Sequence, residues 1–233
     1  MNIGIIIDCL SVAAGGLIGS FIKDKLPESF KTQLNKVLGL SSMGMGVAAI
    51  VLMEHMPAVI FALILGTSFG LLIQFGNLVT KAAVGMNNLV NKGDNDADRS
   101  ALMVTATVLF CASGTGIYGA LTAGMSGDPS ILIAKSILDL FTAMIFACTL
   151  GKSVSLIAVP QFIILFALYL LAGVIVPLTN PSMINDFKAC GGFIMLATGF
   201  RMVKLLDFPI ADMIPAMVLV MPLSALWAKL FRI

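Results

Sequence analysis

Residues 111–142 hold the side chains best suited to chemistry in an otherwise apolar sequence. Lys135 and Asp139 are four positions apart, so a helix would place them on one face. Counted from a helix start at Asp128-Pro129, Asp139 lies about 16 Å along the helix, near the middle of a bilayer. A charge at that depth costs at least about 2.5–3.5 kcal/mol on insertion scales. Asp139 is therefore a candidate proton or cation site, although an internal ion pair with Lys135 would also account for it.

Three further polar residues are candidates for the same site. Ser136 lies beside Asp139 at helical spacing, and Asp8 is a second acid inside an apolar segment, with no partner close to it in sequence. Asp128, followed by a proline, has the pattern of a helix N-cap, which is the structural alternative to ion binding. Gln161 lies close to the end of an apolar segment and is expected at the membrane interface.

The helix that precedes these groups is rich in glycine. A continuous helix over residues 100–126 would be about 40 Å long, which exceeds the roughly 30 Å hydrocarbon core. This helix is therefore tilted, or broken at Ser113-Gly114-Thr115-Gly116. A break in hydrocarbon is tolerated only where the freed backbone groups face protein or water. Such a break would offer carbonyls and hydroxyls to a solute, and close helix packing through small residues is the alternative.

The composition places these elements in a membrane. The 233 residues are 59% hydrophobic and 11% charged, with a mean hydropathy of +1.04, whereas soluble domains are about 45–50% apolar and about 25% charged. A net charge of +2 excludes a nucleic-acid-binding surface. The sequence has no Gly-x4-Gly-Lys-Ser/Thr loop for ATP, and no cofactor or metal site is expected from its single histidine. Four cysteines lie singly in apolar stretches and are predicted to be buried free thiols: Cys9, Cys111, Cys148 and Cys190.

Apolar segments predict an all-α, polytopic membrane protein of about eight spans, or seven if the short connection at 54–57 is not a boundary. The predicted spans are 3–22, 37–53, 57–76, 100–124, 131–150, 154–177, 189–205 and 211–230. Ten of the 14 Lys and Arg residues fall in one set of alternate loops, which predicts that this set is cytoplasmic and that both chain ends are outside. Residues 77–92, and more weakly 27–36, are predicted to be amphipathic helices on the membrane surface. Residues 93–98 are predicted to be a flexible linker.

The two ends of the chain resemble each other. Gly39 and Gly46 have the spacing of Gly192 and Gly199, and an acid precedes a Pro-Ala pair in both halves, at Glu54 and Asp212. The glycine pairs are 153 positions apart and the Pro-Ala pairs 158, so the repeat requires a short insertion. If spans 1–3 match spans 6–8, an odd number of spans separates equivalents, so the repeats are inverted around a central pair, as in many transporters. The two acids also fit helix N-caps.

The chain is thus expected to be one transmembrane domain, 1–233. Repeat unit one covers about 1–76, a surface helix and linker 77–99, the central pair 100–150, and repeat unit two about 154–233.

A set of motifs runs through nearly the whole chain: Leu109-Phe110-Cys111, Gly124-x-x-Gly127-Asp128, Leu132-x-Ala134-Lys135-Ser136-x-x-Asp139, Phe146-Ala147-x-x-Leu150-Gly151, Gly15-Gly16-x-x-Gly19, Leu26-Pro27-Glu28, Gly191-Gly192 and Leu219-Val220. With these motifs the sequence resembles a known family of bacterial membrane proteins, domain-of-unknown-function family 554. The chain departs from the family pattern at Asp8, where a neutral polar residue is expected. The resemblance implies a bacterial inner-membrane protein and supplies no substrate.

The residues favour a small secondary transporter or channel-like permease for a small solute or ion, in the lipid bilayer and expected as a homodimer. Asp139, with Lys135, would bind a coupling proton or cation, and Ser113 and Thr115 would form the opposite wall. The alternative is a non-transporting scaffold or partner-binding subunit. A remote alternative is an intramembrane serine protease, because residues 124–127 match Gly-x-Ser-Gly and His55 could act as its base. No enzymatic activity is expected.

Overall fold

The structure, a computed structural model, describes residues 2–22, 25–90 and 97–231, with the backbone alone for 86–90 and 97–101. Within these ranges the chain forms ten α-helices and no strand, which confirms the all-α prediction. The helices are α1 (Ile3–Ile22), α2 (Glu28–Ile50), α3 (Met56–Leu72), α4 (Phe75–Val90), α5 (Ala97–Cys111), α6 (Gly114–Ser126), α7 (Ser130–Leu150), α8 (Ala158–Ile175), α9 (Pro181–Met202) and α10 (Ile210–Phe231). A 3-10 helix, Gly151–Ile157, joins α7 to α8.

Several helices are long and apolar enough to span a membrane. Among the described residues four helical stretches qualify, namely Ile3–Ile22, Leu102–Ser126, Ser130–Leu178 and Ile210–Phe231. The bent pair Met56–Leu72 and Phe75–Gly85 makes five if it counts as one span. The third stretch has 49 residues and contains α7, the 3-10 helix and α8. The chain is therefore an all-α protein with membrane-spanning helices, and the figure of eight spans stays a prediction.

Two helices begin earlier than the sequence indicated. α2 runs from Glu28 without interruption, so 27–36 forms its first turns and not a separate surface helix. α9 begins at Pro181, where the Asn180 side chain accepts a hydrogen bond from the Met183 amide at 2.9 Å. An Asn cap with proline at the next position is a strong start signal. In both cases polar first turns concealed the helix start from a search for apolar runs.

The glycine-rich helix is broken. α5 ends at Cys111 and α6 begins at Gly114, with Ser113 as N-cap. The Ser113 hydroxyl accepts a hydrogen bond from the Gly116 amide at 3.0 Å. The predicted break is therefore present, but Ser113 uses its side chain to cap α6.

The segment predicted as an amphipathic surface helix is helical, as α4. α4 is bent by 58° from α3 at a break where Gln74 has a φ of 54°. The predicted linker 93–98 lies mostly outside the described residues. Its last two residues, Ala97 and Asp98, are described and belong to α5.

The chain divides into two compact units. Unit 1 is Met1–Asn35 with Val79–Gly173, and unit 2 is Lys36–Leu78 with Val174–Ile233. Unit 1 contains α1 and α5–α7, the 3-10 helix and most of α8. Unit 2 contains α3, α9 and α10 with most of α2.

In unit 1, α1 packs on α7 through a seam of glycines. A Cβ on Gly15 would lie 2.4 Å from the Leu140 carbonyl oxygen, and one on Gly19 would lie 2.3 Å from the Met144 carbonyl oxygen. Any side chain there would separate the two helices, because backbone atoms cannot yield as a flexible side chain does. Asp8 lies on the same buried face of α1. The seam thus holds Asp8 close to α7.

In unit 2, α2 and α9 pack antiparallel through the two glycine pairs that suggested the repeat. A Cβ on Gly46 would lie 2.6 Å from the Gly192 carbonyl oxygen, and one on Gly199 would lie 2.6 Å from the Gly39 carbonyl oxygen. A Cβ on Gly44 of the same helix would have no atom within 4 Å. The paired glycines therefore differ from Gly44 in being closely packed against the facing helix.

The helix boundaries agree with the predicted repeat. The ends of α1 and α8, Ile22 and Ile175, are 153 positions apart, and so are the starts of α2 and α9, Glu28 and Pro181. The glycine pairs differ by the same 153 positions. A single shift therefore aligns two helices of one half with two of the other. The repeat stays a prediction that this agreement supports.

Candidate functional site

The buried charges of unit 1 meet at Lys135. Its Nζ donates to Asp8 Oδ2 at 2.9 Å, and it also forms a close ion pair with Asp139 Oδ2. The pair within α7 was predicted from its spacing of four residues. The prediction that Asp8 lacks a partner referred only to its neighbours in sequence; its partner comes from another helix, 127 positions away.

Gln161 of α8 completes the cluster. Its Nε2 donates to Asp8 Oδ2 at 2.9 Å and to Asp139 Oδ2 at 3.2 Å. The side chain is fully buried, so the expectation that Gln161 lies at the interface is wrong. α8 begins only at Ala158. The 3-10 helix before it, Gly151–Ile157, is itself packed against α1. The start of the apolar segment is therefore inside the fold and not at its edge. We call Asp8, Lys135, Asp139 and Gln161 the charge cluster.

The charge cluster carries more negative than positive charge. It contains two carboxylates and one ammonium, so the fully ionised cluster has a net charge of −1. Asp8 and Gln161 are 0% exposed and Lys135 is 2% exposed, and the Asp139 side chain is 12% exposed. An uncompensated charge in such surroundings costs several kcal/mol. Binding one positive charge would therefore neutralise the cluster and stabilise it.

Two oxygen atoms of the cluster have no hydrogen-bond partner within the part of the chain that the structure describes. They are Asp8 Oδ1 and Gln161 Oε1, and both are buried. A buried acceptor left unpaired costs about 1–3 kcal/mol. Native proteins leave few such atoms, and they often mark a site for an unseen proton, ion or water. The two atoms belong to side chains already joined by the Gln161–Asp8 hydrogen bond.

The helix break adjoins the cluster. A Cβ on Gly116 would lie 3.1 Å from Lys135 Cε, so the first turn of α6 runs against the lysine stem. Gly114, Thr115 and Gly116 are buried there. The structure thus brings the two predicted halves of the site, the glycine-rich break and the Lys135–Asp139 pair, into contact within unit 1.

Two other predicted site residues have local partners. The Ser136 hydroxyl donates to the Ile133 carbonyl at 2.7 Å, within its own helix. Asp128 Oδ1 accepts hydrogen bonds from the amide and the hydroxyl of Ser130, at 2.9 and 2.5 Å. α7 begins at Ser130 with Pro129 as its N-cap residue, so the predicted start is one residue too early. Asp128, which is exposed, still accepts the first amide of α7.

A second buried polar group lies in unit 2, and the sequence did not reveal it. Asp186 Oδ1 accepts hydrogen bonds from the amides of Glu54 and His55, at 2.8 and 2.9 Å. Asp186 Oδ2 accepts one from the Ser224 hydroxyl and lies 2.7 Å from His55 Nδ1. Asp186 and Ser224 are fully buried. The Asp186 carboxylate thereby caps the two amides that immediately precede α3, whose N-cap residue, His55, makes no side-chain cap of its own.

This group does not have the arrangement of a serine-protease triad. In a triad the imidazole bridges serine and acid through opposite ring nitrogens. Here the Ser224 hydroxyl and the acid both face Nδ1 of His55, and the hydroxyl donates to the acid. The Ser126 hydroxyl, which the protease hypothesis required, donates to the Thr122 carbonyl at 2.9 Å.

Glu54 and Asp212 do not cap their own helices. Glu54 is exposed, and hydrogen bonds from Ser182 and Asn185 hold its pKa below the ordinary value. Asp212, in the first turn of α10, accepts a hydrogen bond from the Gly76 amide of α4 at 2.8 Å. The N-cap interpretation is therefore wrong for both: each acid has partners on a different helix.

All four cysteines are buried and free, as predicted. Cys9 follows Asp8 on α1, and Cys111 ends α5 at the break; both thiols lie within electrostatic range of Lys135 and Asp139. Cys190 is fully buried on α9 of unit 2.

Comparison with known proteins gives a family and two curated relatives. Residues 3–225 match the family described as protein of unknown function DUF554. The chain is 44% identical over 234 residues to uncharacterized protein YqgA of Escherichia coli strain K12, covering 99% of this chain and 100% of the relative. It is 27% identical over 219 residues to uncharacterized membrane protein YdfK of Bacillus subtilis strain 168, covering 93% of each. No solved structure matches.

Proposed function

The chain belongs to the DUF554 family, and because the relatives above are named only as uncharacterised, we propose its function from the site: a secondary transporter or channel-like permease for a small solute or ion. The observation that carries the proposal is the charge cluster. It places two acids, one base and an amide in the interior of apolar helices and leaves two acceptor atoms unpaired.

The free energy needed to bury these charged side chains in a membrane favours a functional role for the cluster. Each intramembrane charge is expensive, and such residues are rare unless they serve an ion or proton path. A purely structural core would be as stable or more stable with apolar residues of similar volume. Asp139 lies near the middle of the 21-residue helix α7, where the cost is greatest.

The repeat supports the same function. Asp8 and Gln161 are 153 positions apart, which is the shift that aligns the helix boundaries of the two halves. Under that shift the two residues are equivalent positions of α1 and α8 that meet face to face. Inverted repeats place transport sites where equivalent helices meet, often beside a broken helix. The α5–α6 break beside Lys135 fits this pattern.

A non-transporting scaffold or partner-binding subunit is the second candidate. The glycine seam of α1 and α7 is what favours it, because such close packing also suits a rigid structural core. We place the protein in the bacterial inner membrane with both ends outside. We also propose that the protein forms a homodimer. Gly44 and Gly173 have no neighbour within 4 Å of a Cβ position, so each offers a small-residue surface on which a second copy could pack.

Asp139→Asn tests the proposal through the stability of the purified protein. The wild-type melting temperature is expected to fall as the pH rises, because deprotonation leaves the buried cluster with a net charge of −1. One linked proton changes the free energy of unfolding by up to about 1.4 kcal/mol per pH unit. The variant retains one acid and one base, so its melting temperature should vary much less with pH. Sodium or potassium in place of choline extends the test to metal cations.

Asp207→Asn is the matched control, because Asp207 is 82% exposed and its ion pair among the described residues is the surface pair with Arg201. It should retain the wild-type response. Identical pH and cation responses in wild type and Asp139→Asn would remove Asp139 from ion binding and leave the scaffold alternative.

A further inference from the structure

We infer that the ion bound by the charge cluster is a single proton, carried by the Asp8 carboxyl group and held there by the Gln161 side-chain amide. The inference rests on the proposed function, in that it names the coupling ion of the same site. Its evidence is the bonding of four atoms: the two oxygens of Asp8 and the nitrogen and oxygen of the Gln161 amide.

Half of a carboxylic acid–amide pair is already formed. Gln161 Nε2 donates to Asp8 Oδ2 at 2.9 Å. The complementary atoms, Asp8 Oδ1 and Gln161 Oε1, are the two buried acceptors of the cluster without a partner among the described residues. A planar carboxylic acid and a planar amide form two parallel hydrogen bonds when the acid carries the proton. One proton on Asp8 Oδ1 would thus satisfy both atoms.

The same proton balances the charge. Water supplies it, an O–H bond forms at Asp8 Oδ1, and that bond donates to Gln161 Oε1. The cluster then contains Lys135 as ammonium, Asp139 as carboxylate and neutral Asp8, with a net charge of zero. Release to water restores the carboxylate. No oxidant, reductant or other reactant takes part.

Asp8 is better suited than Asp139 to hold the proton. Asp139 lies on the same helix as Lys135, four positions away, so its ion pair with Lys135 is formed within α7. Its side chain is also partly exposed, whereas Asp8 is 0% exposed and has one oxygen without a partner among the described residues. Desolvation disfavours the charged form most where burial is complete.

Asp139 is the one other acid of the charge cluster, and the remaining described groups near Asp8 do not compete for the proton. α7 presents Lys135 and Asp139, and α8 presents the uncharged Gln161. The remaining titratable neighbours are the thiols of Cys9 on α1 and Cys111 on α5, which are neutral in apolar surroundings. Farther from Asp8, the first turn of α6 runs against the stem of Lys135 at Gly116, and the Ser155 hydroxyl of the 3-10 helix donates to the Ala13 carbonyl.

A metal cation fits the cluster less well. Hard cations are bound by about six or more oxygen ligands, or keep several waters. Two unpaired oxygens beside an ammonium group provide few ligands and a repelling charge. A proton needs only one oxygen to bond to and one to accept its hydrogen bond, which is what Asp8 and Gln161 supply.

Difference infrared spectroscopy of the protein in lipid bilayers tests the inference, because a protonated carboxyl group has a carbonyl band distinct from that of a carboxylate. The spectrum at acidic minus alkaline pH should show one such band that shifts in D2O. Asp8→Glu should move the band to the position of a glutamic acid, whereas Asp139→Glu should leave it in place. Asp8→Asn should abolish it.

Gln161→Met supplies a second variant that changes no charge, in case the Asp8 variants fail to fold. Loss of both amide hydrogen bonds should move the band to higher frequency. The inference is overturned if the band follows Asp139→Glu, persists in Asp8→Asn, ignores Gln161→Met, or is replaced by a sodium-dependent signal. If the band follows Asp139→Glu instead, the inference fails and the permease proposal stands, because the cluster still binds the proton. If no band of the cluster responds to pH, no proton reaches the cluster from water, and the permease proposal fails with the inference.

Discussion

Lys135→Met is expected to destabilise the protein by about 3–5 kcal/mol, which is the usual cost of leaving buried charge without its partner. Lys135 Nζ is the only ammonium among the described residues bonded to Asp8 and Asp139. Methionine fills much of the same volume, so the loss is electrostatic and not a cavity. Thermal or denaturant unfolding in detergent measures it.

A second substitution should partly reverse this loss. Adding Asp139→Asn to Lys135→Met removes one of the two unpaired carboxylates, so the double variant should be more stable than Lys135→Met alone. Lys81→Met, at an exposed position of α4, is the control and should change stability by less than about 0.5 kcal/mol. Equal stability of wild type and Lys135→Met would mean that the cluster is not buried as described.

Asp186→Ala is expected to destabilise unit 2 by at least about 3 kcal/mol. The carboxylate accepts hydrogen bonds from two backbone amides and the Ser224 hydroxyl, and it contacts Nδ1 of the His55 ring. Each buried donor left unpaired costs about 1–3 kcal/mol, and alanine satisfies none of them. The amides of Glu54 and His55, immediately before α3, should exchange with deuterium faster, since they lose their acceptor.

Asp207→Ala is the matched change at an exposed acid. Its surface pair with Arg201 is worth about 0–1 kcal/mol, so it should leave both unfolding and amide exchange close to wild type. If Asp186→Ala unfolds like Asp207→Ala, the capping role of Asp186 is wrong.

Local patterns gave most of what the sequence could predict. The Lys135–Asp139 pair follows from helical spacing, and the break before Gly114 follows from the length of the segment and its glycines. Both depend on residues close in the chain. The first turns of α2 and α9 were missed because they are polar, and apolar content was the search criterion.

Distant partners could not be predicted in the same way. Gln161 meets Asp8 across 153 positions, and Asp186 meets His55 across 131, so no short-range pattern relates them. One signal for Gln161 was present: the shift of 153 that relates the glycine pairs also relates it to Asp8. Asp186 and Ser224 had no comparable signal, since each looks like an ordinary polar residue in a helix.

Water access to the charge cluster is the central claim, and the native cysteines allow it to be measured directly. Variants that retain a single cysteine, at position 9, 111 or 190, would be treated in membranes with a small, charged thiol reagent. We expect Cys9 or Cys111, beside the cluster, to be labelled much faster than Cys190, which is fully buried on α9 of unit 2. Equal resistance of all three thiols would mean that the cluster is sealed from water, and would contradict the account.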